Sequence, residues 1–184
     1  DTVERLLRAK AAVNAANDLG VTPLALACVN GNAAIIGQLL EAGADPNLTT
    51  DDKSTVLMAA AGLGRVLGEN LTPEKASVDA AKYILELGGI NVNAVDTMGQ
   101  TALHYAAYNR RDLMVKFLID QGAALEVKNI YGETPLWLAE MELQFAAGGL
   151  FGLDIVEIGE IGPVAHLVIA HHAHYSTTFG TRKK

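Results

Sequence analysis

The residues that could do chemistry lie mostly near the C-terminus, where four of the five histidines are found: His166, His171, His172 and His174. His171 and His174 are three residues apart, a spacing that lets two imidazoles on one helix reach the same metal ion. No cysteine or carboxylate lies among them to complete a ligand shell. We therefore favour a polar face on a terminal helix, and keep His171 and His174 as alternative metal ligands.

Catalytic patterns are missing from the sequence. A glycine-rich stretch, Gly62-x-Gly64-x-x-x-Gly68, lacks the Lys-Ser/Thr pair that a phosphate-binding loop needs and follows an apolar helix rather than a strand. The single cysteine, Cys28, excludes an internal disulfide, and an isolated thiol in an apolar helix is an inert hydrophobe. Gly-x-Ser-x-Gly, His-Glu-x-x-His and Cys-x-x-Cys patterns are absent. We expect no enzymatic activity and no cofactor.

Charge and composition exclude other classes of protein. The chain has 184 residues, a net charge of −7 and only 5% aromatic residues, and its one basic run is Arg182 to Lys184. A nucleic-acid partner needs clustered cations, so we expect none. The apolar stretch from Ile161 to Ala170 is about half the length of a membrane span, which predicts no membrane insertion. The lack of disulfides favours a cytoplasmic protein, with a secreted or periplasmic one as the alternative.

The elements that must position any site come from an internal repeat. Four segments begin with Thr and continue with small and apolar residues, and their threonines are 33, 46 and 33 residues apart: Thr22–Ala27, Thr55–Ala60, Thr101–Ala106 and Thr134–Ala139. The middle gap is one period of 33 plus an insertion of 13 residues. Such a period predicts stacked units, each too small to bury its own apolar stripe.

Each unit contains a turn and two short helices. Gly lies two residues before the Thr in three of the four segments, preceded by an Asx residue that can bond its own backbone. Those pairs are Asn17 with Gly20, Asp96 with Gly99, and Asn129 with Gly132. Lys53 replaces the glycine of the second turn, which leaves that geometry open. Glycines after Leu or Ile pairs, as in Leu39-Leu40-Glu-Ala-Gly43, mark the ends of the second helices.

These motifs resemble the ankyrin-repeat family, which Thr101-Ala-Leu-His104 and Gly43-Ala-Asp-Pro-Asn47 match closely. The resemblance covers residues 3 to 143 well. It implies an all-α solenoid of stacked helix-turn-helix units with β-hairpin-like turns. The insertion pattern, and the wording from Glu69 to Lys75, also look like ankyrin proteins of environmental bacteria. The resemblance further implies that His104 bonds the backbone of a neighbouring loop and is structural.

We divide the chain as one domain, residues 1–184. Its parts are a partial repeat (1–16), a repeat (17–49), a repeat with an insertion near 62–75 (50–95), a repeat (96–128), and a divergent repeat (129–184) with an insertion near 146–162 and a cap helix. In the first insertion, Thr72 is expected to cap a helix, with Pro73 at its first position and Glu74 in its first turn. The second insertion is apolar and is expected to fold back on the last repeat.

The first ten residues resemble the second helix of a repeat whose first helix is missing. We expect the natural chain to extend upstream, because an uncapped outer helix exposes an apolar face. The alternative is that residues 1–10 form a degenerate cap.

By the resemblance, the function is protein binding, and partners contact the turn tips and the exposed face of the inner helices. The matching tip positions are Leu19, Val21, Asp51, Asp52, Ser54, Thr97, Met98, Gln100, Ile130, Tyr131 and Glu133, and the helix positions are Val29, Asn30, Tyr108, Asn109 and Met141. Leu19, Met98, Ile130 and Tyr131 are expected to form an apolar row along one edge, and the alternative is that each tip residue packs onto its neighbouring turn. The acidic residues Asp51, Asp52, Asp96 and Glu133 favour a partner protein with a basic surface. The alternatives are an accessory domain of a larger assembly docked through residues 146–162, and a metal-binding protein.

Overall fold

The computed structural model describes residues 2–63 and 73–146, with side chains up to residue 140. Within these ranges the chain forms eight α-helices and no β-strand. The helices are α1 (Thr2–Arg8), α2 (Pro23–Val29), α3 (Ala33–Glu41), α4 (Val56–Ala61), α5 (Glu74–Glu86), α6 (Ala102–Tyr108), α7 (Asp112–Asp120) and α8 (Pro135–Ala146).

The helices stack in two rows. In the inner row α2 packs on α4, α4 on α6, and α6 on α8. In the outer row α1 packs on α3, α3 on α5, and α5 on α7. The expected all-α solenoid of helix pairs is therefore confirmed, while the individual repeat boundaries remain predictions.

The recurring threonine begins each inner helix. The hydroxyl oxygens of Thr22, Thr55 and Thr101 accept hydrogen bonds from backbone N–H groups three residues later, at 3.2, 3.2 and 3.4 Å. Thr134 does the same for the N–H of Trp137, at 3.2 Å. An N-cap of this kind satisfies one of the N–H groups that a helix start leaves unpaired. The motif is thus a repeated helix-start signal.

Small residues on the inner helices let the two rows approach closely. Leu24, Leu57 and Leu103 of the repeated motif are fully buried, and so is Cys28. In the next two repeats the equivalent positions are held by alanines that are also fully buried, Ala61 and Ala107, and in the last repeat by Glu140. Cys28 therefore lies in the core, as its place in the repeat predicted.

The turns before the inner helices share one geometry. Asp96 Oδ1 accepts hydrogen bonds from the N–H groups of Met98 (2.8 Å) and Gln100 (2.9 Å), and the backbone N–H of Asp96 donates to the carbonyl of Gln100. Asn17 and Asn129 repeat this pattern at their own turns. The turns are hairpin-like in their hydrogen bonds, although the described residues contain no strand.

The second turn follows the same path without glycine. Lys53 has φ +64°, in the left-handed region that Gly20 (+76°) and Gly99 (+74°) also adopt. Thr50 replaces the Asx residue, and its hydroxyl oxygen accepts a hydrogen bond from the N–H of Ser54 at 3.0 Å. The second turn therefore has the same backbone conformation as the others, and Lys53 carries strain that a glycine would not.

Successive turns are joined by backbone hydrogen bonds, which we call the turn ladder. The N–H of Asp51 donates to Leu19 O (3.2 Å), that of Thr97 to Asp52 O (2.8 Å), and that of Ile130 to Met98 O (2.9 Å). The ladder ties one repeat to the next at the edge that the inner helices share.

Polar side chains also cross from one repeat to the next on the far side of the stack. Asn14 Oδ1 accepts from the N–H of Asp45 (2.9 Å), and its amide donates to Gly43 O (3.3 Å). Asn93 makes the same pair of bonds to Ala124 N (2.7 Å) and Gly122 O (3.2 Å). These residues fix the spacing of the loops that follow the outer helices.

The start of α5 differs from the expectation. The helix begins at Glu74, its N-cap is Pro73 with φ −55° and ψ 134°, and no side chain caps it. Thr72, the expected cap, lies outside the described residues. Glu74 Oε1 accepts hydrogen bonds from Leu113 N (2.7 Å) and Met114 N (3.1 Å). It therefore caps α7 of the following repeat.

At the N-terminal end, α1 is an outer helix without an inner partner among the described residues. An apolar groove of about 290 Å³ lies between α1 and the first full repeat, with Leu6 and Leu26 each more than half exposed at its edges. Residues 147–162, most of the second insertion, lie outside the described residues.

Candidate interaction surface

The turn ladder presents a row of large apolar side chains to solvent. Leu19 is 67% exposed, Ile130 60% and Tyr131 68%. Met98, the fourth member of the expected row, is only half-buried. Between them Asp51, Asp52 and Thr97 are exposed, as expected for tip residues. The row is thus polar and acidic at its middle and apolar at both ends.

Below the last two turns, tip residues and inner-helix residues line one open groove of about 350 Å³. The inner helices contribute Tyr105, Tyr108 and Leu138, and the turns contribute Gln100, Asn129, Tyr131 and Glu133. The structure therefore brings together four of the predicted binding residues: Gln100, Tyr108, Tyr131 and Glu133. We call this the tyrosine groove.

A buried carboxylate lies behind the tyrosine groove. The hydroxyl of Tyr105 donates a 2.6 Å hydrogen bond to Asp96 Oδ2, and Asp96 is only 5% exposed. Burial, the hydrogen bond to Asp96 and then the negative charges of Asp96 and Asp52 raise the pKa of the Tyr105 phenol. Tyr105 therefore stays protonated, in a negative electrostatic field.

Two other carboxylates near the groove and the turns, those of Glu133 and Asp52, accept hydrogen bonds from residues of their own turns. Glu133 Oε2 accepts a 2.6 Å hydrogen bond from the side-chain amide of Asn129. The Asp52 carboxylate accepts hydrogen bonds from Thr50 and Ser54, and that from the Thr50 hydroxyl is the main reason its pKa lies below the usual value. Asp52 therefore holds negative charge near the turns at neutral pH.

Two predicted binding residues, Asn30 and Asn109, are the C-caps of the inner helices α2 and α6. The side-chain amide of Asn30 donates to Leu26 O (3.0 Å). That of Asn109 donates to Tyr105 O (2.8 Å) and reaches Gly62 O (3.3 Å) in the preceding repeat. Asn30 is exposed and Asn109 half-buried, so each has a structural role beside any contact with a partner.

The remaining predicted positions divide by exposure. Val21 and Val29 are half-buried, and Met141 lies on α8 beyond the last described side chain. The expectation of an exposed Ser54 is wrong, because Ser54 is 2% exposed. Ser54 lies in the stem of the turn rather than at the tip, and its carbonyl accepts a hydrogen bond from the N–H of Thr50.

His104 joins two repeats, as the resemblance implied. Its Nδ1 accepts a hydrogen bond from Thr101 N at 3.1 Å, so Nε2 carries the proton and donates to Glu133 O at 3.2 Å. The side chain is fully buried, and burial lowers its pKa below the usual 6.5. His104 is therefore a neutral structural group that positions the fourth turn.

Reactive groups are scarce in the described part of the chain. Burial raises the pKa of the Cys28 thiol to about 12, so it is not a nucleophile at neutral pH. In residues 2–63 and 73–146 no cluster of His, Cys, Asp or Glu could hold a metal ion, and His171 and His174 lie outside those ranges. Of the helices described, none has the length and apolarity that crossing a bilayer requires.

Sequence reasoning missed Tyr105 and the linking roles of Asn14, Glu74 and Asn93. The bonded partners of Asn14, Asn93 and Glu74 lie 29 to 40 residues further along the chain, which is close to one repeat. A search for polar residues that recur at this spacing could therefore have indicated these links. The direction in which Glu74 points could not be read from the chain, since it depends on how α5 packs on α7.

Comparison with known proteins supports this architecture. A family model that describes three copies of the ankyrin repeat matches this chain twice, at residues 1–71 and at residues 73–147. The chain is 39% identical over 134 residues to a mitochondrial disaggregase of Bos taurus and 36% identical over 155 residues to that of Homo sapiens, each match covering 73% of this chain. It is 29% identical over 111 residues, 60% of its length, to a serine/threonine-protein kinase of Mus musculus.

The matched region spans only 18%, 22% and 12% of these three relatives, so the similarity concerns a repeat region of much longer proteins. All three are eukaryotic, and the resemblance to ankyrin proteins of environmental bacteria is not supported. Two family matches covering nearly all of residues 1–147, together with the stacked helix pairs, identify the fold. The chain belongs to the ankyrin-repeat family.

Proposed function

We propose that this chain is a non-catalytic interaction module that binds a partner protein through its turn tips and inner-helix face. The observation that carries the proposal is the exposure of Leu19, Ile130 and Tyr131 on a hydrogen-bonded turn ladder. Large apolar side chains at such exposure leave favourable burial unused until a partner covers them.

The ladder also lowers the cost of binding. Each tip is fixed by bonds inside its own turn and by one bond to the neighbouring turn. Because the backbone is already ordered, association loses less conformational entropy than it would with mobile loops. Aromatic anchors such as Tyr131 are enriched among residues that dominate binding energy.

The test compares two double variants in affinity capture from the source organism. The first, Leu19→Ser with Ile130→Ser, removes apolar surface from the tips. The matched control, Leu87→Ser with Leu113→Ser, removes similar surface from the outer row, where Leu87 follows α5 and Leu113 lies on α7, and these leucines are 50% and 52% exposed. Captured proteins are quantified by mass spectrometry, and both variants are checked for unchanged circular dichroism.

We expect the tip variant to lose at least one protein that the control variant and the unmodified chain both retain. Equal capture by all three forms would contradict binding through the tips. Loss in the control variant alone would instead place the binding surface on the outer helices.

A second candidate is an accessory domain of a larger assembly, docked through residues 146–162. The similarity to two mitochondrial disaggregases, of which the matched region is less than a quarter, favours this candidate. In this candidate the repeats would present aggregated protein to another domain. Binding to a heat-aggregated test protein in a sedimentation assay, weakened by the tip variant of the repeats and unaffected by Phe151→Ser in the docking segment, would support it. A chain that stays in the supernatant would exclude it.

A further inference from the structure

The tyrosine groove combines aromatic rings with a carboxylate in one concave space. Three aromatic rings, from Tyr105, Tyr108 and Tyr131, line a space of about 350 Å³ together with the carboxylate-bearing Glu133. Pockets for small ligands range from about 300 to 1,000 Å³. At about 350 Å³ the groove lies at the small end of this range, which suits one long side chain of a partner rather than a helix.

Aromatic faces carry negative charge and attract cations within about 6 Å of the ring centre. Tyr105 strengthens this property, because its hydroxyl donates a short hydrogen bond to Asp96 and thereby shifts electron density onto the ring. Leu138 supplies an apolar wall that suits the aliphatic stem of a long side chain.

Charges at the groove have one sign. Glu133 is on the lining and Asp96 lies directly behind Tyr105. Among the described residues, no lysine, arginine or histidine lines the groove. A cationic group entering it would meet the Glu133 carboxylate and the tyrosine rings, whereas an anion would meet no compensating charge among the lining residues.

We propose that the tyrosine groove binds a single basic side chain, an arginine or a lysine, of the partner protein. The proposal rests on the interaction function proposed above and specifies the chemistry of one contact within it. Arginine can stack on a ring and pair with Glu133 at once, whereas lysine offers a point charge.

The experiment uses four synthetic peptides, acetyl-Gly-Gly-X-Gly-Gly-amide, in which X is arginine, lysine, citrulline or norleucine. Citrulline and norleucine keep the shapes of arginine and lysine without their charge. Binding to the chain is followed by NMR through the ring signals of the tyrosines. We expect saturable shifts at Tyr108 and Tyr131 with arginine or lysine, and little change with the two neutral peptides.

Variants locate the site. Tyr131→Leu removes one ring and is expected to weaken the binding of the cationic peptides by about 2- to 30-fold. Tyr131 is 68% exposed, so the fold does not depend on it. Glu133→Gln is expected to weaken binding as well, while still accepting the hydrogen bond from Asn129. Leu113→Ser, on the outer helix, is the control and should change nothing.

Equal binding of norleucine would overturn the proposal in favour of an apolar site. The absence of a saturable shift of the groove tyrosines with every peptide would also overturn it. Neither result would touch the interaction function, which is tested through Leu19 and Ile130, outside the groove. Conversely, the tip variant could capture the same proteins as the unmodified chain while the cationic peptides still bind. The groove would then be supported as a binding site and the turn tips would not.

Discussion

Replacing turn glycines by alanine gives a graded test of the turn ladder. Gly20, Gly99 and Gly132 have nearly the same φ, +76°, +74° and +81°, at equivalent positions. Their surroundings differ. A Cβ on Gly20 would lie 2.9 Å from the backbone atoms Asp51 N and Thr50 Cα, and one on Gly99 would lie 3.1 Å from Asn129 Cα. A Cβ on Gly132 would meet no described atom within 4 Å.

The magnitudes follow from two separate costs. A side chain in the left-handed region costs about 1–2 kcal/mol, offset by about 0.4–1 kcal/mol because alanine restricts the unfolded chain. Gly132→Ala should therefore lose about 1 kcal/mol of unfolding free energy. Overpacking against rigid backbone adds about 1–3 kcal/mol, so Gly20→Ala should lose about 2–4 kcal/mol. Gly99→Ala should fall between them.

The assay is urea unfolding followed by circular dichroism, with midpoints and slopes fitted for each variant. Gly43→Ala, at φ +89° and with open space around it, is a second control for the strain alone. Equal losses at Gly20 and Gly132 would refute the reasoning, because they would mean that the second turn does not pack on the first.

Four further outcomes are expected. Lys53→Gly should stabilise the chain by about 0.5–1 kcal/mol in the same urea assay, since Lys53 has φ +64°; a loss would mean that its side chain contributes more than the strain costs. Glu74→Ala should lower the unfolding free energy by about 1 kcal/mol by uncapping α7, while Glu86→Ala, at the exposed end of α5, should not. The Cys28 thiol, with a pKa of about 12, should react with a disulfide reagent only at the rate of unfolding; prompt reaction would contradict its burial. Because burial lowers the pKa of His104 in the folded chain, its stabilising contribution should be complete above about pH 6.5 and decrease as the pH falls towards the folded pKa. His104→Gln should flatten the melting temperature across this range, and an unchanged profile would assign the pH dependence to other groups.

The sequence was sufficient to predict the helix pairs because their signals are local. Thr22 and Pro23 combine an N-cap with a first-turn proline, and Gly43 supplies the positive φ of a helix end. The period of 33 residues then placed equivalent elements side by side. The exposure of Leu19 and Ile130 agrees with their turn positions, whereas Met98, at the position equivalent to Leu19, is half-buried.

Properties that depend on packing between repeats could not be predicted. Ser54 is buried in the stem of its turn, and an assignment of tip positions by alignment cannot distinguish it from an exposed residue. Lys53 violates the rule that a left-handed position prefers glycine, so propensity alone left its turn open. The tyrosine groove requires Tyr105 and Tyr131 to converge from different repeats, which only the stacking determines.

The bonds of the turn ladder join residues that are roughly one repeat apart in the chain: Leu19 to Asp51, Asp52 to Thr97, and Met98 to Ile130. None of these bonds spans the whole described stack. A chain emerging from the ribosome can therefore form each bond as soon as the next repeat has been synthesised, using the preceding repeat as its template. Such local closure favours rapid folding from the N-terminal side onward, without waiting for distant segments.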